Sequence, residues 1–232
     1  MIPAKGALIS ATLALALLSG CTSHDSAGVQ ESKSAGGTMV KAALGSVFSG
    51  SKKETAQASA PTDPSALATS ALQSIKGPVI LVTFEASKAS TIGAMRGENS
   101  AMRTYQTPDQ RAFVLRDGLL AGTRGFGRDL MSADTSAAAR LIHARMQGTA
   151  QRVYRYLDGD GQERPLPVSC TIQPAGTVQQ SGISVRQVAE HCEGSGVTLD
   201  MSYLVAPDGT ILASRQWIGP ALGYVAIQQL RN

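Results

Sequence analysis

Aromatic residues are scarce in this chain of 232 residues: they make up 4% of it, and only one is tryptophan. Any core must therefore rest on Val, Ile, Leu and Ala. Charge is thin as well, with 16% Asp, Glu, Lys and Arg and a net value of +4, one unit lower once Lys5 leaves with an N-terminal leader. So mild a balance argues against a nucleic-acid partner, which needs a strongly basic face. The chain has three histidines and three cysteines, but no Cys-x-x-Cys and no His-Glu-x-x-His. His191 adjoins Cys192 without third and fourth ligands at zinc spacing, and His24 lies far upstream. Gly-x-Ser-x-Gly is missing too, so no metal, cofactor or hydrolytic nucleophile is expected.

What is present begins at the N-terminus. Behind Lys5, the apolar stretch from Ala7 to Leu18 is shorter than the roughly 20 residues a bilayer-spanning helix takes, and it reads as a secretory leader. It ends in Leu18-Ser19-Gly20-Cys21, the pattern called a lipobox, in which small side chains flank the scissile bond and the cysteine sulfur takes up diacylglycerol. Residues 1–20 are expected to be removed and Cys21 to become the lipidated first residue. Each buried acyl methylene contributes about 0.8 kcal/mol, so two or more chains anchor stably. Thr22 follows where an inner-membrane signal would place Asp. The expected location is the outer membrane, lipid-anchored and facing the periplasm.

With Cys21 assigned to lipid, Cys170 and Cys192 remain, 22 positions apart. In an oxidising compartment they are expected to form a disulfide, which would stabilise the fold by about 3 kcal/mol on the chain-entropy account. The alternatives are two buried thiols or pairing between chains.

Residues 21–75 are rich in Ser, Ala, Gly, Thr and Lys and read as a disordered tether, reaching about 40 Å on average. Within it, "MVKAALGSVF" could form at best a short amphipathic docking helix. From 76 to 232 the pattern changes to short apolar runs broken by turn residues. Hairpins are expected about Asp117-Gly118, from Asp158 to Gly161, and at Pro207-Asp208-Gly209. Only "TSAAARLIHARMQ" has helical composition, with Asp134 as its N-cap. The expected fold is mainly β: an antiparallel β-sandwich or barrel with one short helix, forming one domain.

The stretch "GTRGFGRDL" at 122–130 invites a nucleotide-binding reading, but it follows an antiparallel hairpin, lacks the third glycine at Leu130, and has no Gly-Lys-Ser/Thr. It is better read as a glycine-rich turn in which Arg124, Arg128 and Asp129 form either an internal Arg–Asp lock or a partner-facing patch. "DGDGQE" at 158–163 lacks the glycine position and the twelfth-position Glu of a calcium loop, and reads as a solvated turn. Glu190, Glu193 and Asp200 are the carboxylates open to glycosidase chemistry. Surface charges beside the disulfide are the plainer reading of Glu190 and Glu193. Trp217, Tyr203 and Tyr224 are either a sugar-stacking platform or core.

Taken together, the lipobox, the polar tether, "LRDGLLAGTRGFGRDLMSAD", "YLDGDGQ", two cysteines and "YLVAPDGTILASRQWIGPALGYVAIQQL" resemble the YjbF/GfcB family of group 4 capsule polysaccharide lipoproteins. The resemblance covers about 75–232 and is carried best by the "GLLAGTRGFGRDL" and "SRQWIGPALGY" blocks. Two family patterns, "GLG" and "YWV", are altered here at Gly125-Phe126-Gly127 and Tyr203-Leu204-Val205. The resemblance implies a β-rich, non-enzymatic outer-membrane lipoprotein of capsule or exopolysaccharide secretion, working with an outer-membrane β-barrel protein and a periplasmic capsule-assembly protein. It supplies no catalytic residue. The signature it carries over is Gly122, Arg124, Gly125, Gly127, Arg128 and Asp129, with Arg215, Gln216, Trp217, Gly219 and Pro220. The competing readings are a carbohydrate-binding module that holds the polymer through the aromatics and arginines, and an envelope glycan-modifying enzyme.

Overall fold

A computed structural model describes residues 63–180 and 182–232. Cys21, the leader, "MVKAALGSVF" and nearly all of the tether lie outside the described residues.

The chain runs through α1 (Pro64–Ser74), β1 (Val79–Phe84), β2 (Ser90–Asn99), β3 (Met102–Gln106), β4 (Ala112–Arg116), β5 (Leu119–Arg124) and β6 (Leu130–Ala133). It continues through α2 (Ser136–Ala144), β7 (Gly148–Leu157), β8 (Glu163–Gln180), β9 (Ile183–Gly194), β10 (Val197–Val205), β11 (Ile211–Gly219) and β12 (Gly223–Arg231). The three expected hairpins form. Asp117 and Gly118 both have positive φ, 51° and 80°, the left-handed pair that a two-residue turn between right-twisted strands requires. Asp158 braces its own turn by accepting bonds from the amides of Asp160 and Gln162, both at 2.9 Å, and from Arg164 Nε at 2.7 Å.

All strand pairs are antiparallel, in one sheet ordered β5-β4-β3-β2-β1-β12-β11-β10-β9-β8-β7-β6. The edge strands, β5 and β6, are consecutive in the chain, and the sheet curls until they meet as a nearly closed barrel. On the long strands β8 and β10 the residues alternate about this curl. On β8, Leu166, Val168, Cys170 and Ile172 point into the core while Pro165, Pro167, Ser169 and Thr171 face water. On β10, Leu199, Met201, Tyr203 and Val205 are buried. A period of two with one apolar face is what drives such a sheet to close on itself.

Two helices are present among the described residues, one more than the sequence led us to expect. α2 buries Ala138, Ala139 and Ile142 and packs on β7, β8 and β10. Its N-cap residue is Thr135, one position beyond the expected Asp134, whose carboxylate nonetheless accepts the Ser136 amide at 3.2 Å. α1 falls within the stretch read as tether. It is started by Asp63, whose side chain accepts the Ser65 amide at 3.0 Å, with Pro64 in the first turn. Arg231 of β12 then ties its C-terminal end by donating to the Leu72 and Ile75 carbonyls. The packed body therefore takes in α1, upstream of residue 76.

Candidate functional site

The stretch 122–130 is the seam of the barrel. Gly122 on β5 lies so close to β6 that an added Cβ would sit 3.3 Å from the Leu130 carbonyl oxygen and 3.4 Å from that of Met131. A side chain here would push the facing backbone away by a few tenths of an ångström, so glycine favours the close approach of the two edges. The closure itself is made by side chains. Thr123 Oγ1 accepts the Leu130 amide at 3.0 Å and donates to Asp129 Oδ1 at 2.8 Å. The same buried carboxylate accepts the amides of Gly125, at 3.0 Å, and Phe126, at 3.3 Å. Arg124 donates across the seam to the Leu130 and Met131 carbonyls, both at 3.4 Å. Neither arginine pairs with Asp129, so the Arg–Asp lock, one of the two readings of this stretch, gives way to a Thr–Asp–amide clasp. Arg128 and Gly127 are exposed beside it.

The second signature block spans the barrel. Gln216 on β11 is buried and reaches across the interior to accept the Leu120 amide of β5 at 2.7 Å, while its own amide donates to the Gly118 carbonyl at 3.1 Å and to Ser214 at 2.9 Å. Trp217 is 6% exposed and stacks edge-on against Tyr154 and Tyr156, with centroids 5.3 and 6.1 Å apart. Tyr203 is fully buried. These two aromatics are core, and the stacking-platform reading fails on burial. Arg215 faces outward, where Glu85 grips it at 2.7 and 2.9 Å and its guanidinium lies 3.6 Å over the Tyr224 ring. Gly219 is buried and Pro220 is exposed at the β11–β12 turn.

Inside the barrel lies a polar network that the sequence reading missed. Arg152 on β7 and Glu190 on β9 have side chains 1% and 0% exposed, and Arg152 Nη1 straddles the carboxylate at 2.9 and 3.0 Å. Tyr203 donates its hydroxyl to Glu190 Oε2 at 2.6 Å, and Arg152 Nε donates to the Asp134 carbonyl at 3.1 Å. Burial works against the Arg152 charge, yet the facing Tyr154 and Glu190 carry its pKa above the ordinary value. Burial also pushes the Tyr203 hydroxyl well up, so it stays a donor. Glu190 is thus an internal counter-ion, which corrects its reading as a surface charge or a candidate catalytic acid.

Two residues further along β9, Cys192 is bonded to its cross-strand neighbour Cys170, with Cα atoms 3.9 Å apart and both sulfurs buried. Cys170, Cys192 and Glu190 lie close enough together to suggest a metal cluster. Each sulfur already holds the other, however, and the carboxylate is taken by Arg152 and Tyr203, so the donor set does not suit a metal. Of the other candidate carboxylates, Asp200 and Glu193 are exposed and flank His191, at 2.6 Å from Nδ1 and 3.3 Å from Nε2. Both ring nitrogens are thereby occupied.

Residues 40–230 match the family profile described as group 4 capsule polysaccharide lipoprotein gfcB, YjbF. Among solved structures, the crystal structure of the hypothetical lipoprotein YmcC from Escherichia coli (K12) is similar, with a TM-score of 0.60 and 17% identity over 72% of this chain and 89% of that one. At that identity the likeness speaks for the fold alone. A comparison with curated proteins finds no match.

Proposed function

We propose, for a chain that belongs to the YjbF family of group 4 capsule polysaccharide lipoproteins, an accessory role in capsule or exopolysaccharide secretion at the outer membrane. It acts as a non-enzymatic factor, lipid-anchored through Cys21 and facing the periplasm, that binds an outer-membrane β-barrel protein or a periplasmic assembly protein. The observation that carries this reading is the filled interior. Arg152, Tyr105, Tyr154, Tyr203 and Phe113 are the largest of the fully buried side chains, and they occupy the space a polymer would need in order to pass. A filled barrel offers a partner its outer faces and loops. Of the carboxylates considered for glycan cleavage, Glu190 is sealed in its ion pair, which supports the non-enzymatic reading.

A tagged copy, gently solubilised from membranes of the native strain, is expected to bring down an outer-membrane barrel protein. Recovery of the lipoprotein alone would count heavily against the reading. Cys21→Ser should abolish the lipid-modified mass and membrane pelleting. An unchanged lipid-modified mass would refute the anchor.

A further inference from the structure

The β8–β9 hairpin is longer than its neighbours. β7 pairs with β8 only as far as Ile172, and β10 pairs with β9 only from Arg186 onward, so the segment beyond them stands out from the barrel as a two-stranded arm. At the foot of that arm, beside the C-terminal end of α2, is a cavity of about 500 Å³. Its lining includes Arg145 and Arg186, the hydroxyl residues Thr177 and Ser184, and the apolar Val185 and Val205, and it contains no acidic residue.

The two arginines are held differently. Arg145 follows α2 in the left-handed region, at φ 54° and ψ 37°, where glycine is the usual occupant. Its Nη1 donates to the carbonyls of Ala206 and Pro207 at 2.9 and 2.8 Å, which fixes the guanidinium and leaves Nε and Nη2 to act as donors. Arg186 sits in register between Thr177 and Val205, is exposed, and takes part in no ion pair among the described residues. Asp208, the acid that feels the field of Arg145, is already engaged by the Thr210 amide at 2.9 Å and the Thr210 hydroxyl at 3.0 Å.

From this geometry we infer that the cavity binds a carboxylate-bearing sugar unit of an acidic polysaccharide. One anchored and one exposed guanidinium supply forked donors matched to a carboxylate. Thr177 and Ser184 can exchange hydrogen bonds with sugar hydroxyls, and the exposed Ala144 and Pro207 offer apolar contacts to the C–H face of the ring, while Val185 and Val205 lie buried beneath. The volume lies in the range of small-ligand sites, larger than a bare oxyanion needs. The choice of a glycan rests on the capsule reading proposed above; the anion preference rests on the two arginines.

Calorimetric titration of the full chain in detergent would use tetragalacturonate, neutral maltotetraose and inorganic phosphate as probes. Tetragalacturonate is expected to bind, to weaken at least tenfold when salt is raised, and to weaken at least tenfold in Arg186→Gln with the melting temperature unchanged. Arg186 is an exposed strand residue, so this variant keeps the fold. Maltotetraose should not bind. The inference is overturned by equal binding of the neutral and acidic tetramers, by phosphate binding as tightly as the tetramer, by no binding at all, or by an unaltered Arg186→Gln. Arg186→Gln should still capture the partner protein, so loss of glycan binding and loss of partner binding are read separately.

Discussion

Glu190 shows how a single residue's role follows from parity along a strand. On β9, Val188, Glu190 and Cys192 all point inward, so once Cys192 is assigned to a buried disulfide the period of two places Glu190 in the core as well. That signal was legible in the sequence; the identity of its partner was not, because Arg152 lies on β7, two strands away in the sheet. Removing one member of a buried ion pair strands the other's charge, at a cost of about 3 to 5 kcal/mol. Glu190→Gln is therefore expected to lower the melting temperature by about 6 to 20 °C, using about 2 to 4 °C per kcal/mol for a domain of this size. The double change Arg152→Met with Glu190→Met should recover most of the loss. A urea titration in which Glu190→Gln costs under about 1 kcal/mol would contradict this account. His191 works at the surface with the opposite visibility to solvent. Hydrogen bonds to Asp200 first, and then to Glu193, hold its pKa above the ordinary 6.5. A raised pKa in the folded state stabilises fully below the unfolded value and is lost as pH rises through the folded one. The melting-temperature advantage of the native protein over His191→Gln should accordingly be greatest below pH 6.5 and shrink on the alkaline side. An advantage that grows with pH would reverse the assignment.

Most elements were readable from their turns, because Asp117-Gly118, Asp158 to Gly161 and Pro207-Asp208-Gly209 carry local chemistry that fixes a hairpin wherever it lies. Three elements were not read. β2, "STIGAMRGEN", holds two glycines and polar ends, and β6 is only four residues long; neither shows enough alternation to stand out. α1 hid in Ser/Ala-rich sequence, although Asp63 followed by Pro64 is a helix start by its capping chemistry. The choice between sandwich and barrel was beyond local patterns, since it depends on β5 meeting β6. That meeting is made by the clasp, so its residues divide sharply in their expected effects. Asp129→Ala deprives Thr123 and two amides of their acceptor in a buried setting, and should cost about 1 to 3 kcal/mol. Arg128→Ala touches none of these bonds and should leave the melting temperature where it was. If chemical denaturation ranks the two variants the other way, the seam is held by something other than the Thr–Asp–amide clasp.

At the scale of the whole molecule, strand number and filling have to be reconciled. About eight strands already give an interior that side chains can just fill, and larger circular barrels enclose a cavity or channel. Twelve strands are compatible with a solid core here because the barrel is pinched: Gln216 on β11 bonds directly to the β5 backbone at 2.7 Å, and α2 adds Ala138, Ala139 and Ile142 to the same core. The alternation is also inverted relative to a membrane barrel, which is apolar outside and polar within. Here Ser169, Thr171, His191, Glu193 and Asp200 face outward, while Val168, Ile172, Val188 and Leu199 face inward. An exterior of this kind stays in water and an interior of this kind does not conduct. The full lipidated chain, reconstituted into lipid vesicles, should therefore bind to the bilayer yet leave trapped fluorescent dye unreleased and planar-bilayer current at baseline. Gln216→Ala should loosen the pinch and lower the melting temperature while still producing no current, because the apolar side chains that fill the interior remain. Stepwise conductance from the native protein would mean that the strands can open into a channel, and would overturn the proposal that this chain acts by binding a partner.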